Sequence, residues 1–256
     1  MNNQMAHERL RVYDKALAFV RLITPEVDLW PSRYCVRDQI DRAMESVITN
    51  LVKAAWLQPS RQAVYHLECS LGSVLECAAC VDVALIRDLI DKETASGRKL
   101  ALLEVVRMEV GLRSSWSPSV CEEPEHYGEQ TSGFSHEYLL VYQQGLQLCR
   151  VLVGGVLAAH DAHDRYARRI DEASTSLLLN IAEGNGRFSQ LDHRLFIERA
   201  QEAGVKLAAY LDLVSPIGTE PTDSAKALLH EVMAMLSGLR GYLDGSDKDT
   251  LPQMQR

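Results

Sequence analysis

Ile40-Asp41-Arg42-Ala43 and Ile170-Asp171-Glu172-Ala173 occupy one pattern stated twice, and reading them as a pair decides the fold. Setting one over the other, with Val12-Tyr13 over Val141-Tyr142, gives a shift of 129 to 130 residues. The shift then holds without a large insertion. Ser46 falls on Ser176, Asn50 on Asn180, Glu68 on Glu198, Ala78-Ala79 on Ala208-Ala209 and Asp82 on Asp212. A period this long is a whole domain rather than the single supersecondary unit of a solenoid. The chain reads as one module in tandem duplication, over residues 8–113 and 134–243, and each copy is expected to carry its own core.

Length agrees, because 256 residues suit two domains of roughly 110 each. Aromatics are only 6% while Leu and Ala are abundant, a helical balance rather than a strand-rich one. No run approaches the ~20 apolar residues of a membrane span, and Met1-Asn2-Asn3-Gln4 lacks a signal peptide's basic and apolar regions. A cytoplasmic protein without membrane attachment is expected. The six cysteines, at 35, 69, 77, 80, 121 and 149, do not pair at zinc-ribbon spacing, so reduced thiols are expected. Cys77 and Cys80 share a helix face at i,i+3 and read as small core residues, with redox or metal chemistry as the alternative.

Helical spacing and breakers predict four helices per copy. In the first they run from about His7 to Thr24, Ser32 to Leu57, Ser60 to Ile90 and Thr94 to Leu112, with Pro25 and Pro31 bracketing a loop and Ser60 as an N-cap. In the second they fall near 135–160, 162–183, 190–214 and 222–243, and Ser189-Gln190-Leu191-Asp192 resembles a capping box. Gly184 and Gly186 are expected to end a helix in left-handed backbone. Short loops imply antiparallel neighbours, so the predicted fold is all-α, two tandem antiparallel up-down-up-down four-helix bundles. Residues 1–113 form the first unit, 114–133 an acidic Ser/Pro/Gly linker, 134–243 the second unit and 244–256 a disordered tail.

The second predicted helix of the second copy closes on Asn180-Ile181-Ala182-Glu183-Gly184-Asn185-Gly186-Arg187. Here the sequence resembles the bacterial four-helix-bundle proteins first noticed as products of intervening sequences in large-subunit ribosomal RNA genes, whose pattern is Asn-Ile-Ala-Glu-Gly-x-Gly-Arg. The same family includes the accessory variability protein that partners the reverse transcriptase of diversity-generating retroelements. The resemblance covers the second copy and, more weakly, the first, where Leu51-Val52-Lys53-Ala54-Ala55-Trp56 follows Asn50 in place of the motif. It implies a non-enzymatic, nucleic-acid-associated accessory protein with RNA and a reverse transcriptase as partners, either homo-oligomeric or an intrachain pseudo-dimer.

Charge qualifies that implication. The net charge is −8; residues 1–113 hold 15 basic and 15 acidic residues, and residues 134–256 hold 12 and 16. Nucleic-acid binding draws on phosphate neutralisation and calls for a basic surface. The candidates for contact with phosphate or an acidic partner are Arg165, Arg168, Arg169, Arg187 and Arg194, with Asn180, Glu183, Gly184 and Gly186 shaping the loop that presents them. Arg33, Arg37 and Arg42 occupy the matching helix of the first copy. The competing reading is a solvated helix face laced with salt bridges. His160-Asp161-Ala162-His163-Asp164 reads as a loop before it reads as a metal site, and no metal or cofactor is expected. No nucleophile–base–orienter set, phosphate-cradling loop or dinucleotide fingerprint appears, so an enzyme is not expected. The alternative function is a self-assembling or protein-binding scaffold without nucleic acid.

Overall fold

A computed structural model of the chain describes residues 4–58, 60–116, 133–158, 165–214 and 220–249. Its helices are α1 (Arg11–Val27), α2 (Val36–Trp56), α3 (Arg61–Ile86), α4 (Lys92–Trp116), α5 (Leu140–Val151), α6 (Arg165–Asn185), α7 (Gln190–Val214) and α8 (Glu220–Asp249). Short 3₁₀ turns, Ala6–Arg9 and Ser135–Tyr138, precede α1 and α5. Among the described residues there is no strand.

Each helix forms because its apolar residues recur on one stripe. On α1, Val12, Ala16, Phe19, Ile23 and Val27 are buried at helical spacing. Within the first half α1 packs on α2, α2 on α3, α3 on α4 and α4 back on α1; α5 to α8 close the same ring in the second half. That adjacency, with short connections, is the up-down-up-down bundle.

Helix α3 departs from the stripe pattern. From Ser70 to Ala84 it is buried almost all round, because it faces α2 and α4 on one side and α5 and α6 of the other half on the opposite side. It is long and apolar enough to cross a membrane by composition, yet its apolar surface is taken up by these neighbours. In consequence the buried apolar side chains of both halves form one continuous cluster. The length of the repeat predicts two separate cores; a helix with two apolar faces merges them. Cys77 and Cys80 lie in this cluster at 1% and 0% exposure, and burial raises both thiols well above their ordinary value.

Several boundaries differ from the sequence expectation for physical reasons. Pro25 lies inside α1 rather than in a loop. Its missing N–H removes the helical bond to the carbonyl of Arg21, an exposed residue, while continuing the helix buries Val27 at 1% and Trp30 at 3%. Ser60 caps α3 as expected, its Oγ accepting the Ala63 N–H at 3.1 Å. The helix expected over 135–160 is a 3₁₀ turn, α5 and a π turn at Leu152–Leu157. In that turn a Cβ on Gly155 would lie 2.7 Å from the Pro221 Cβ, so the widened Gly-Gly backbone lets α8 close in. Helix α4 takes in Ser114, Ser115 and Trp116 from the expected linker, and α8 continues to Asp249 into the expected tail. The remainder of both segments, 117–132 and 250–256, and the His160-Asp161-Ala162-His163-Asp164 reading lie outside the described residues.

One buried acid stands apart in the first half. Glu109 is 1% exposed, accepts the Ser70 hydroxyl at 2.5 Å through Oε1 and has no partner for Oε2; burial pushes its carboxyl up to about 8. A folded-state value above the unfolded one means the folded protein holds the proton. Stability is then greatest below the unfolded value and falls as pH rises toward about 8. Glu109→Gln is expected to flatten that fall and to raise stability near pH 8, read as urea midpoints across the range; an unchanged pH profile would place the burden elsewhere.

Candidate functional site

The halves meet where α3 runs antiparallel to α6. At one end Arg87, which caps α3, pairs with Asp171 of α6 at 2.5 Å and donates to the Thr175 hydroxyl at 3.2 Å, while the second Asp171 oxygen accepts the Cys35 backbone N–H at 3.0 Å. Both side chains are buried, at 1% and 4% exposure. At the other end Arg187 turns inward: it pairs with Glu183, donates to the Cys69 sulfur at 3.4 Å and lies over the Phe196 ring. Glu76 lies close enough that burial and the neighbouring Glu183 carboxylate hold its carboxyl up to about 8, and burial raises Glu183 as well. Asp82 of α3 adds a third link, bonding Lys99 at 2.6 Å and the Tyr142 hydroxyl at 2.9 Å.

The motif glycines serve this junction. No glycine among the described residues has a positive φ, so the left-handed turn expected at Gly184 and Gly186 is not what they supply. A Cβ on Gly184 would lie 2.8 Å from the Phe196 Cβ, and one on Gly186 would lie 2.6 Å from Leu75 Cδ1. They permit close approach of α7 and of α3, and α6 runs through Gly184 to Asn185.

On the other side of the junction α2 and α7 stand apart, leaving a cleft of about 560 Å³ with α6 along it. Five cations line it: Arg42 from α2, Arg168 and Arg169 from α6, Arg199 and Lys206 from α7. Asp38, Glu172 and Glu202 line it too, as do Gln39, Asn180 and Tyr210. Arg168 bonds Glu172 at 3.1 Å. Arg42, Arg169, Arg199 and Lys206 form no ion pair among the described residues. The shift of 130 explains the asymmetry. Where α3 approaches α6 with Cys69, Gly72 and Glu76, α7 carries Arg199, Glu202 and Lys206. The small side chains of Cys69 and Gly72 let one edge close with Glu76 inside it, and long charged ones hold the other open.

Of the residues singled out from sequence, the cleft gathers Arg168, Arg169 and Asn180. Arg165 stays exposed on the first turn of α6, its guanidinium 4.7 Å from the Tyr166 ring. Arg194 is engaged by Glu198 at 3.2 Å and Asp244 at 2.9 Å and does not line the cleft. Arg187 and Glu183 are internal, so an exposed basic loop presented by the motif is not what the structure forms. Helical spacing and motif do not single out Arg199 and Lys206; the signal that marks them is the exchange of Cys69 and Glu76 for cations at the matching positions.

Residues 8–111 match the family model of the 23S rRNA-intervening sequence protein. The match lies in the first half, which supplies Arg42 and Gln39 to the cleft, whereas the Asn180–Arg187 run that carries the resemblance in the sequence lies outside it. No curated protein and no solved structure matched the chain.

Proposed function

We propose that the chain is a non-enzymatic, RNA-associated cytoplasmic protein that holds RNA phosphates in the cleft between α2, α6 and α7. The observation that carries this reading is the convergence of Arg42, Arg169, Arg199 and Lys206, none in an ion pair among the described residues, on one concave site of a chain whose net charge is −8. Phosphate attraction depends on local potential, and five cations against the three acids Asp38, Glu172 and Glu202 leave the cleft net positive. The family matched by residues 8–111 is named for intervening sequences of ribosomal RNA, which supports the same ligand class. A finer reading, that the RNA belongs to a retroelement and a reverse transcriptase shares it, rests on the resemblance of the Asn180–Arg187 run.

The test is a triple exchange, Arg42→Glu, Arg169→Glu and Arg199→Glu, at three exposed positions. Each phosphate contact with single-stranded nucleic acid contributes about 0.7 to the slope of log affinity against log salt, so the variant should lose about 2 units of slope and bind at least about tenfold more weakly. An unchanged slope and affinity, with the fold intact, would remove the cleft from the function. The scaffold alternative draws on Trp56, Tyr65 and Leu191, which remain 74%, 55% and 68% exposed. Solution mass by light scattering separates the two: a salt-sensitive complex with structured RNA supports the first reading, and a stable oligomer indifferent to RNA supports the second.

A further inference from the structure

We infer that the cleft takes an unpaired RNA strand, with bases entering against Tyr210 toward one end and Asn180 toward the other, and does not take duplex. The inference rests on the RNA reading above and narrows it to a strand class. Its first support is an acceptor left open. Asn180 Nδ2 donates to the Ser176 carbonyl at 2.7 Å and lies 3.2 Å from Ser176 Oγ, but its Oδ1 accepts no hydrogen bond among the described residues. Asn50, at the matching position of α2, makes the same two bonds, and there the oxygen is closed by His66 Nδ1 at 2.9 Å. The residue that matches His66 is Phe196, which has no hydrogen to give, so in the second half the amide oxygen lines the cleft unengaged.

The second support is an aromatic ring where the first half has none. Tyr210 matches Cys80, which is wholly buried in α3; Tyr210 packs partly on the core and lines the cleft. Every base has a face that stacks on such a ring, whatever its identity. Gln39 adds an amide from the α2 wall.

Size and charge placement complete the argument. About 560 Å³ is the scale of a small-ligand site, enough for a splayed nucleotide and far too small for a helix of paired strands. Arg42 on one wall and Arg199 and Lys206 on the other can hold the phosphates flanking a base that points inward. A duplex keeps its bases stacked and offers this site only phosphates and 2′-hydroxyls, so Asn180 and Tyr210 would go unused.

The experiment compares fluorescence anisotropy of a short unstructured RNA with the same RNA annealed to its complement. Wild-type protein should bind the single strand roughly tenfold more tightly, and Tyr210→Leu should weaken single-strand binding by about tenfold while leaving duplex binding nearly unchanged. Tyr210→Phe keeps the ring and should keep the affinity; if Tyr210→Leu does not fold, Asn180→Ser carries the comparison. Equal affinity for both forms, or full single-strand affinity in a folded Tyr210→Leu, would overturn this inference and leave the RNA reading standing. Binding of neither form by the wild type would overturn the RNA reading and this inference with it.

Discussion

Replacing Asp171 with Ala is expected to lower the unfolding free energy by about 3–5 kcal/mol, the cost of stripping one partner from a buried ion pair. The loss is large because the charge left behind has nowhere to go. The Arg87 side chain is 1% exposed, its Nη1 is already without a partner, and the Thr175 hydroxyl is its other hydrogen-bond acceptor among the described residues. The Cys35 N–H loses its acceptor in the same step. Urea denaturation of the full chain reads the effect as a lowered midpoint. Two companions separate charge from shape. The paired exchange Arg87→Met with Asp171→Leu removes both charges and should recover most of the loss. Asp41→Ala, at the matching but exposed position of α2, should change stability by less than about 0.5 kcal/mol. A midpoint for Asp171→Ala equal to the wild type would mean the junction does not depend on this pair.

Arg187→Glu is expected to unfold or loosen the protein rather than merely to weaken ligand binding, at a cost of at least about 3 kcal/mol. The guanidinium neutralises Glu183, and it is one of two cations, with Arg42, that hold the Glu76 carboxyl down. Reversal would set a third carboxylate among these two and withdraw the ring contact with Phe196 and the bond to Cys69. The pH dependence follows from the sign of the shifts. Glu76 and Glu183 are already raised in the folded state, and losing Arg187 raises them further. Folding then retains protons that the unfolded chain gives up, so the variant should be most stable in mild acid, lose stability as pH rises toward about 8, and go on losing it above that, where the wild type levels off. Thermal midpoints at several pH values provide the measurement. Wild-type stability combined with lost RNA binding would return Arg187 to the surface role that the sequence motif suggests.

Three arginines show why the site is only partly legible in the sequence. Arg168, Arg169 and Arg187 look alike in sequence, each near a helix end with an acidic residue three or four positions away. What separates them is the partner helix. Arg168 and Arg169 face the open edge between α6 and α2, whereas Arg187 faces the closed edge against α3. Sequence alone makes the motif glycines turn formers, because it shows where a Cβ is missing and not which atom stands in its place; Leu75 and Phe196 stand there.

The sequence alone determined the all-helical class, the four helices in each half, the Ser60 cap and the span of α7, because spacing, caps and breakers act within a few residues of the chain. It placed a helix over Ser60 to Ile90 without setting it apart from its neighbours. Tertiary structure decided what that helix serves, since a helix with apolar residues all round must be covered on every side and the second half supplies the missing cover. It decided too that one edge of the junction closes on an ion pair and small side chains while the other stays open and cationic. Those outcomes depend on which side chains meet across more than a hundred residues of sequence, and local patterns carry no record of that meeting.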